Sequence, residues 1–457
     1  MASISFRDSN HGLQIGDNHG SINAEFHLPA DRWNMLDHTS SHMNEFAFKI
    51  HRELRRRILI TAKPDDLQQA FKWALMRLRE SFPHQSPLAE PLSRKWKECG
   101  QWISHVMSVK TVTASFRTKL QVPEILVEIL IDGAIYLWER GLLDQGFELI
   151  TFAEEICECI DNCSQSLRAA VLSFKGCILS DRGMITDAIE CFRKEVEHKR
   201  GFLLSLKKKG QAPSMIDEIQ LANGYNNLAG ILCACEAFDE ADLNNELSLS
   251  IKKRWIKKGD LDYLLSLSYS NRANVLGLQK KWSDAARWYQ KALEIPREKH
   301  YAPRLALIYH NFGTMRLQQG TPDEATKLLS EAVEIRTEEL GNHYDTAISL
   351  HTLARCYRLK GKLIVARDLL MEALDILDTP HLRDKGRIAR SKHMLSIVLE
   401  DLGDRKALTL RQEAKKLRTE IISSSEVARR SSSSELARRD EDDDDDEESY
   451  DCLVPYV

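Results

Sequence analysis

At 457 residues, with 29% charged and 43% hydrophobic side chains, the chain has the balance of a soluble helical protein and the length for two or three globular domains or one long array. The formal net charge of −4 hides an asymmetry: ten carboxylates fall in residues 440–457, and setting them aside leaves +6 for the rest. Ten scattered cysteines show no disulfide framework, and the most apolar stretch, 125–138, is broken by Glu128 and Asp132, so a secreted disulfide scaffold and a membrane span are both excluded.

Residues 1–30 alternate apolar and polar side chains (Leu13, Ile15, Ile22, Ala24, Phe26) around Asp17-Asn18-His19-Gly20, the pattern of two short strands and a turn. Two such strands bury no core alone, so self-association through this leader is one expectation and a polar, unfolded leader the other. Residues 31–118 read as an irregular helical region. Pro64-Asp65-Asp66 starts a helix whose apolar face runs Leu67, Ala70, Phe71, Ala74, Leu75, Leu78. Pro83, Pro87 and Pro91 mark a loop, and a second apolar face carries Trp96, Trp102, Ile103 and Val106. Both faces are expected to pack on the helices that follow.

From 119 to 422 the chain repeats itself. Two small residues sit twelve apart in Ala134/Gly146, Gly176/Ala188, Ala229/Ala241, Ala273/Ala285, Gly313/Ala325, Ala354/Ala366 and, imperfectly, Leu395/Ala407. Gly141, Gly183, Gly320 and Gly361 fall midway, and Ala153, Ala292, Ala332, Ala373 and Ala414 follow seven residues later, with Glu195 and Ser248 as exceptions. Small residues let two helix backbones approach, and glycine lets the chain turn between them, so each unit is an antiparallel helix pair. One longer interval is expected to be a loop over Lys207–Pro213. Residues 423–457, rich in Ser, Arg and acid, cannot bury enough apolar surface to fold and are expected to be disordered.

The sixth unit, Leu353-Ala354, Tyr357, Gly361, Ala366, Leu370, Ala373-Leu374, and the fourth, with Trp288, Tyr289 and Ala292-Leu293, resemble the tetratricopeptide family in its kinesin-light-chain variety. The resemblance implies an all-α, right-handed superhelical solenoid of about seven helix pairs. It also implies a concave groove that captures a protein or an extended peptide. Carried onto this chain, the groove residues are Asn226, Asn227, Asn271, Asn274, His310, Asn311, His351, Arg355, Arg358, Lys392 and His393. Asn227, Asn271 and Asn311 recur at one position of three successive units, where amides can bind a peptide backbone. The Arg, Lys and His side chains favour an acidic ligand. Two further stretches, 5–29 and Pro91–Val106, resemble the amyloid-signalling leader and the joining segment of fungal NOD-like receptors, yet the phosphate-binding Gly-x-x-x-x-Gly-Lys-Ser/Thr is missing.

No nucleophile, base or dinucleotide motif occurs, so no enzyme activity and no cofactor is expected. Cys157, Cys159 and Cys163, with Cys233 and Cys235, lack zinc spacing and read as buried thiols without a metal. Arg52, Arg55–Arg57 and Lys207–Lys209 are basic runs without the module that nucleic-acid binding needs. The expected protein is a cytoplasmic or nuclear adaptor of receptor-type signalling, or else a scaffold for a biosynthetic pathway, with an acidic tail that either keeps the chain in solution or folds back on the basic end of the groove.

Overall fold

Each of the seven small-residue pairs lies where two helices cross. The computed structural model describes residues 60–88, 90–256, 262–295, 301–379, 382, 384–423 and 450–451. The leader 1–30, the arginines at 52–57 and most of the tail lie outside them. The chain divides into two compact units, residues 1–73 and 74–457. Of the first, residues 60–73 are described and hold the start of helix α1 (Pro64–Ser81), with Asp65 and Asp66 in its first turn as expected. Helix α2 (Trp96–Phe116) follows the proline loop.

Fourteen helices then form seven hairpins: α3 (Glu124–Glu139) with α4 (Leu143–Cys159), α5 (Gln165–Asp181) with α6 (Ile185–Lys208), α7 (Met215–Ala234) with α8 (Phe238–Trp255), α9 (Tyr263–Leu278) with α10 (Trp282–Leu293), α11 (Ala302–Gln318) with α12 (Pro322–Leu340), α13 (Tyr344–Leu359) with α14 (Leu363–Leu377), and α15 (Lys385–Asp401) with α16 (Lys406–Ser423). No strand occurs among the described residues. The fold is an all-α solenoid.

The spacing of the small residues is explained by contact. A methyl added to Gly176 would lie 2.6 Å from the Phe192 ring, and one on Gly313 2.7 Å from Leu329 Cγ. The alanines of the other pairs are buried, most of them completely. Between the helices of all seven hairpins one residue takes a left-handed backbone: Gly141, Gly183, Glu236, Lys280, Gly320, Gly361 and Gly403, with φ between 58° and 83°. Glu236 and Lys280 hold the glycine position without being glycine, which is why two units lack the turn signal in sequence. The two exceptions to the later alanine, Glu195 and Ser248, are also fully buried. Gly224 faces Glu195 closely enough that a methyl there would lie 3.2 Å from the carboxylate.

One expectation is corrected. The long interval is not simply a loop over Lys207–Pro213: α6 runs 24 residues and takes in Lys207 and Lys208, so the extra sequence first lengthens a helix. Ser214 then opens α7 with a capping box to Asp217.

Consecutive first helices of the hairpins touch along the whole array, whereas no two consecutive second helices make a comparable contact. The array therefore bends toward the first helices, and these line its inner face. The curl brings the first two hairpins against the sixth. Tyr344 Oη on α13 donates to Asp181 Oδ2 on α5 over 3.2 Å. A methyl on Gly141 would meet Leu382 Cδ2 at 2.7 Å and Tyr344 Cδ1 at 3.1 Å. Helix α2 covers the start of the array, close enough that a methyl on Gly133 would sit 3.1 Å from Val106.

Candidate functional site

The inner face is built from polar side chains that bridge one first helix to the next. Asn227 Nδ2 reaches Ser173 Oγ at 3.4 Å, and Asn271 Nδ2 donates to the Asn226 carbonyl at 3.0 Å. Further along, His310 Nδ1 lies 3.1 Å from Ser349 Oγ and His351 Nδ1 3.2 Å from Ser391 Oγ. These contacts form a brace between hairpins. Each amide has two N–H donors, so spending one on a neighbour leaves capacity for a visitor.

The expected groove residues divide accordingly. Asn226, His310, His351 and His393 are buried. Asn226 Oδ1 accepts from Ser268 Oγ at 2.9 Å. Asn274 accepts from Tyr289 of its own hairpin, and Lys392 Nζ pairs with Glu413 at 2.6 Å across its own hairpin, so both look away from the inner face. Asn227, Asn271, Asn311, Arg355 and Arg358 are part-exposed. Burial, reinforced by Arg336 and Arg390, holds His310 well below the ordinary imidazole pKa. Burial and the field of Arg390 and Arg355 do the same to His351. Both are neutral at physiological pH. The positive charge expected of them comes from arginine alone.

That charge gathers at the last two hairpins. Arg355 and Arg358 of α13, with Thr314, Leu317 and Gln318 of α11 and Leu359, line a pocket on the inner face. Arg390 of α15, on the next first helix, is 4% exposed. Asp451 enters this pocket from the far end of the chain: Arg390 Nε donates to its Oδ1 at 2.5 Å, and Arg355 Nη1 reaches its Oδ2 at 3.5 Å. A guanidinium is the side chain suited to carboxylate capture.

A second feature was not legible beforehand. The proline loop does more than join helices. It runs past the middle and the C-terminal end of α3 and across the first turns of α7, α9 and α11. Gln85 N donates to Asp132 Oδ1 at 3.1 Å, Gln220 Nε2 reaches the Pro87 carbonyl at 3.4 Å, and Tyr263 Oη donates to Glu90 Oε1 at 3.2 Å. Leu88 packs on Ile219, Leu249, Leu264 and Leu265. Leu92 N and Trp96 Nε1 donate to the Glu139 carboxylate at 2.9 and 3.0 Å, and Tyr301 donates to Ser93. Burial raises Glu139 to about 7 even so. The chain thus carries its own connecting loop against the first, third, fourth and fifth hairpins.

Of the five clustered cysteines, Cys157, Cys163 and Cys233 are buried thiols, whereas Cys159 and Cys235 at helix ends are exposed, against expectation. Cys157 and Cys163 lie with their sulfurs 3.3 Å apart. Burial raises the Cys157 thiol, with Cys163 adding to it, and pushes Cys233 up to about 12. No group of side chains able to hold a metal occurs among the described residues. No described helix is long and apolar enough to cross a membrane.

Comparison with known families matches residues 304–379 and residues 266–303 to two tetratricopeptide-repeat families. Residues 266–379 are tetratricopeptide repeats. They correspond to the fourth, fifth and sixth hairpins, the stretch where unit spacing is most even. No catalytic family is indicated, and no curated protein matches. Among solved structures the chain is similar to a Rap protein complexed with competence and sporulation factor (16% identity, 77% of this chain and 91% of that one, TM-score 0.49). It is also similar to BtubC from P. vanneervenii (20%, 52% and 93%, 0.45). A third is a putative kinesin light chain from Podospora anserina (21%, 45% and 99%, 0.38).

Proposed function

We propose that this protein is a non-enzymatic adaptor that captures an extended, acidic segment of a partner protein on the inner face of its last three hairpins. One observation carries the reading: the pocket between α11 and α13 is edged by Arg355 and Arg358, and a carboxylate already enters it. Around it stand side chains fitted to a peptide. Thr314 Oγ1 is buried without a hydrogen-bond partner, Leu317 and Leu359 supply apolar surface, and part-exposed Asn311, one helical turn before Thr314 on α11, supplies an amide. An extended segment presents alternate side chains and a free main chain, which is what amides and spaced pockets recognise. The neutral histidines contribute hydrogen bonding there and leave the charge to arginine. Residues 85–96 cover part of the first, third and fourth hairpins and reach Tyr301 at the start of the fifth, which leaves the later part of the face the more open. The resemblance of 5–29 and 91–106 to fungal receptor segments supports extending the proposal to receptor-type signalling, with 1–30 proposed as a self-associating module.

Selection from a random twelve-residue peptide library against the full-length chain tests this. The selected peptides should be rich in Asp and Glu and lose at least tenfold in affinity against Arg355→Ala/Arg358→Ala at unchanged helical circular dichroism. Selected peptides without acidic bias, or equal binding to the double variant, would refute the reading.

A further inference from the structure

The last hairpin holds an aromatic ring that does not belong to it. Tyr450 is separated from the end of α16 by residues 424–449, yet it is 1% exposed. Its ring stacks on His393 of α15 with centroids 4.0 Å apart and planes 12° from parallel. Ala389 of α15 and Ala414 of α16, both fully buried, and Leu417 close the slot around it, and the Arg418 guanidinium lies 5.8 Å from the ring. The next residue, Asp451, makes the ion pairs with Arg390 and Arg355 described above. The backbone at 450–451 is helical. Two adjacent residues therefore fill two adjacent subsites: a flat slot floored by an imidazole, and a cationic seat leading into the pocket.

We propose that this end of the inner face is a recognition site for an aromatic residue followed directly by a carboxylate, and that Tyr450-Asp451 is its in-cis occupant, holding the site until a partner segment of the same chemistry displaces it. The proposal rests on the reading of the inner face as a capture surface and names both its ligand class and its control. Each subsite is selective for a physical reason. A slot walled by alanines admits a ring and excludes a long branched chain, and stacking on the flat face of an imidazole favours planar side chains. Arg390, 4% exposed, gains far more from a carboxylate than from a neutral group, because its own burial has removed water. The sequence before the pair, nine consecutive carboxylates from Asp440 to Glu448, adds attraction to the same arginine-rich end. A tethered pair competes as though present at an effective concentration of about 1 mM, so a partner must outcompete it.

The test uses the full-length chain and a fluorescent peptide of residues 446–455 with Cys452 replaced by Ser. In wild type the site is occupied, so the peptide should bind Tyr450→Ala/Asp451→Asn about tenfold more tightly than wild type. Arg390→Gln added to that double variant should abolish binding. Hydrogen exchange gives a second readout. Amides of 385–401 should exchange faster in the double variant and be protected again by added peptide, but not by a peptide carrying Ala for Tyr450. Tyr450→Phe, which keeps the ring, should behave as wild type. Equal peptide affinity for wild type and the double variant, or equal protection by the Ala-substituted peptide, would overturn the proposal. Library-selected acidic peptides that still bind through Arg355 and Arg358 would then show that the capture reading survives without it.

Discussion

Replacing Lys252 by Met should make this protein more stable at neutral pH and less so in alkali. Lys252 is 2% exposed at the junction of α8 and α9. Its Nζ donates to Ser268 Oγ at 3.0 Å, within a buried network where Ser248 Oγ lies 3.3 Å from Ser268 Oγ, Asn245 Nδ2 donates to the Ser268 carbonyl at 3.0 Å and Ser268 Oγ donates to Asn226. None of these groups is a carboxylate, and Arg304 adds repulsion. Burial first, and Arg304 second, lower Lys252 from 10.5 to about 7. Below pH 7 folded and unfolded chains both hold the proton, and the folded one bears the whole cost of a buried cation. Between pH 7 and 10.5 the unfolded chain holds more protons, so stability rises with pH by at most about 1.4 kcal/mol per unit. Met removes that slope along with the cation. At pH 7 the variant should be more stable by about 1–4 kcal/mol, the gain seen when buried charges give way to well-packed apolar side chains. By pH 9.5 the advantage should shrink by about 3 kcal/mol, and the lost hydrogen bond to Ser268, worth about 1 kcal/mol, should then count against it. Urea unfolding of both proteins across pH 6–9.5 measures the difference, in which other titrations cancel. Parallel curves would show that Lys252 keeps an ordinary pKa and that the reasoning is wrong.

Three other outcomes follow from the packing and the leader. Gly361 has φ +70° and open space around it, so Gly361→Ala should cost about 1 kcal/mol of backbone strain, whereas Gly313→Ala, pressed on Leu329, should cost more than about 2 kcal/mol; thermal melts of the two variants should differ in that order. Tyr344→Phe removes a donor from the buried Asp181 carboxylate and should lower stability by about 1–2 kcal/mol, read from the urea midpoint; an unchanged midpoint would argue against closure of the array on itself. A peptide of residues 1–30 should form fibres with a cross-β diffraction pattern, and a peptide that stays monomeric would remove self-association from the account.

The hairpins were legible because their signals are local. A pair of small residues twelve apart reports the close approach of two helices, and the structure places all seven pairs at such crossings. The turn signal failed at Glu236 and Lys280, where ordinary residues adopt the glycine backbone. The contact of the first two hairpins with the sixth was not legible, because curvature accumulates from small rotations that no single residue encodes. The expected groove residues all fall on first helices of the hairpins, but sequence cannot say which way a side chain on that row turns. Thus Asn274 and Lys392 serve their own hairpins, and the imidazoles of His310 and His351 lose their charge to burial and to nearby arginine. Tyr450 was hidden by its surroundings: composition averages over the acid run, whereas docking depends on one ring and one carboxylate.

Photo-crosslinking tests the central claim most directly. A benzophenone side chain placed at Leu359, 64% exposed beside the arginine pocket, or at Leu408, equally exposed on the second helix of the last hairpin, reports which face a bound acidic peptide touches. Capture on the inner face should give crosslinks from position 359 that are lost with Arg355→Ala/Arg358→Ala, and none from 408. Crosslinks from 408 with none from 359 would contradict it.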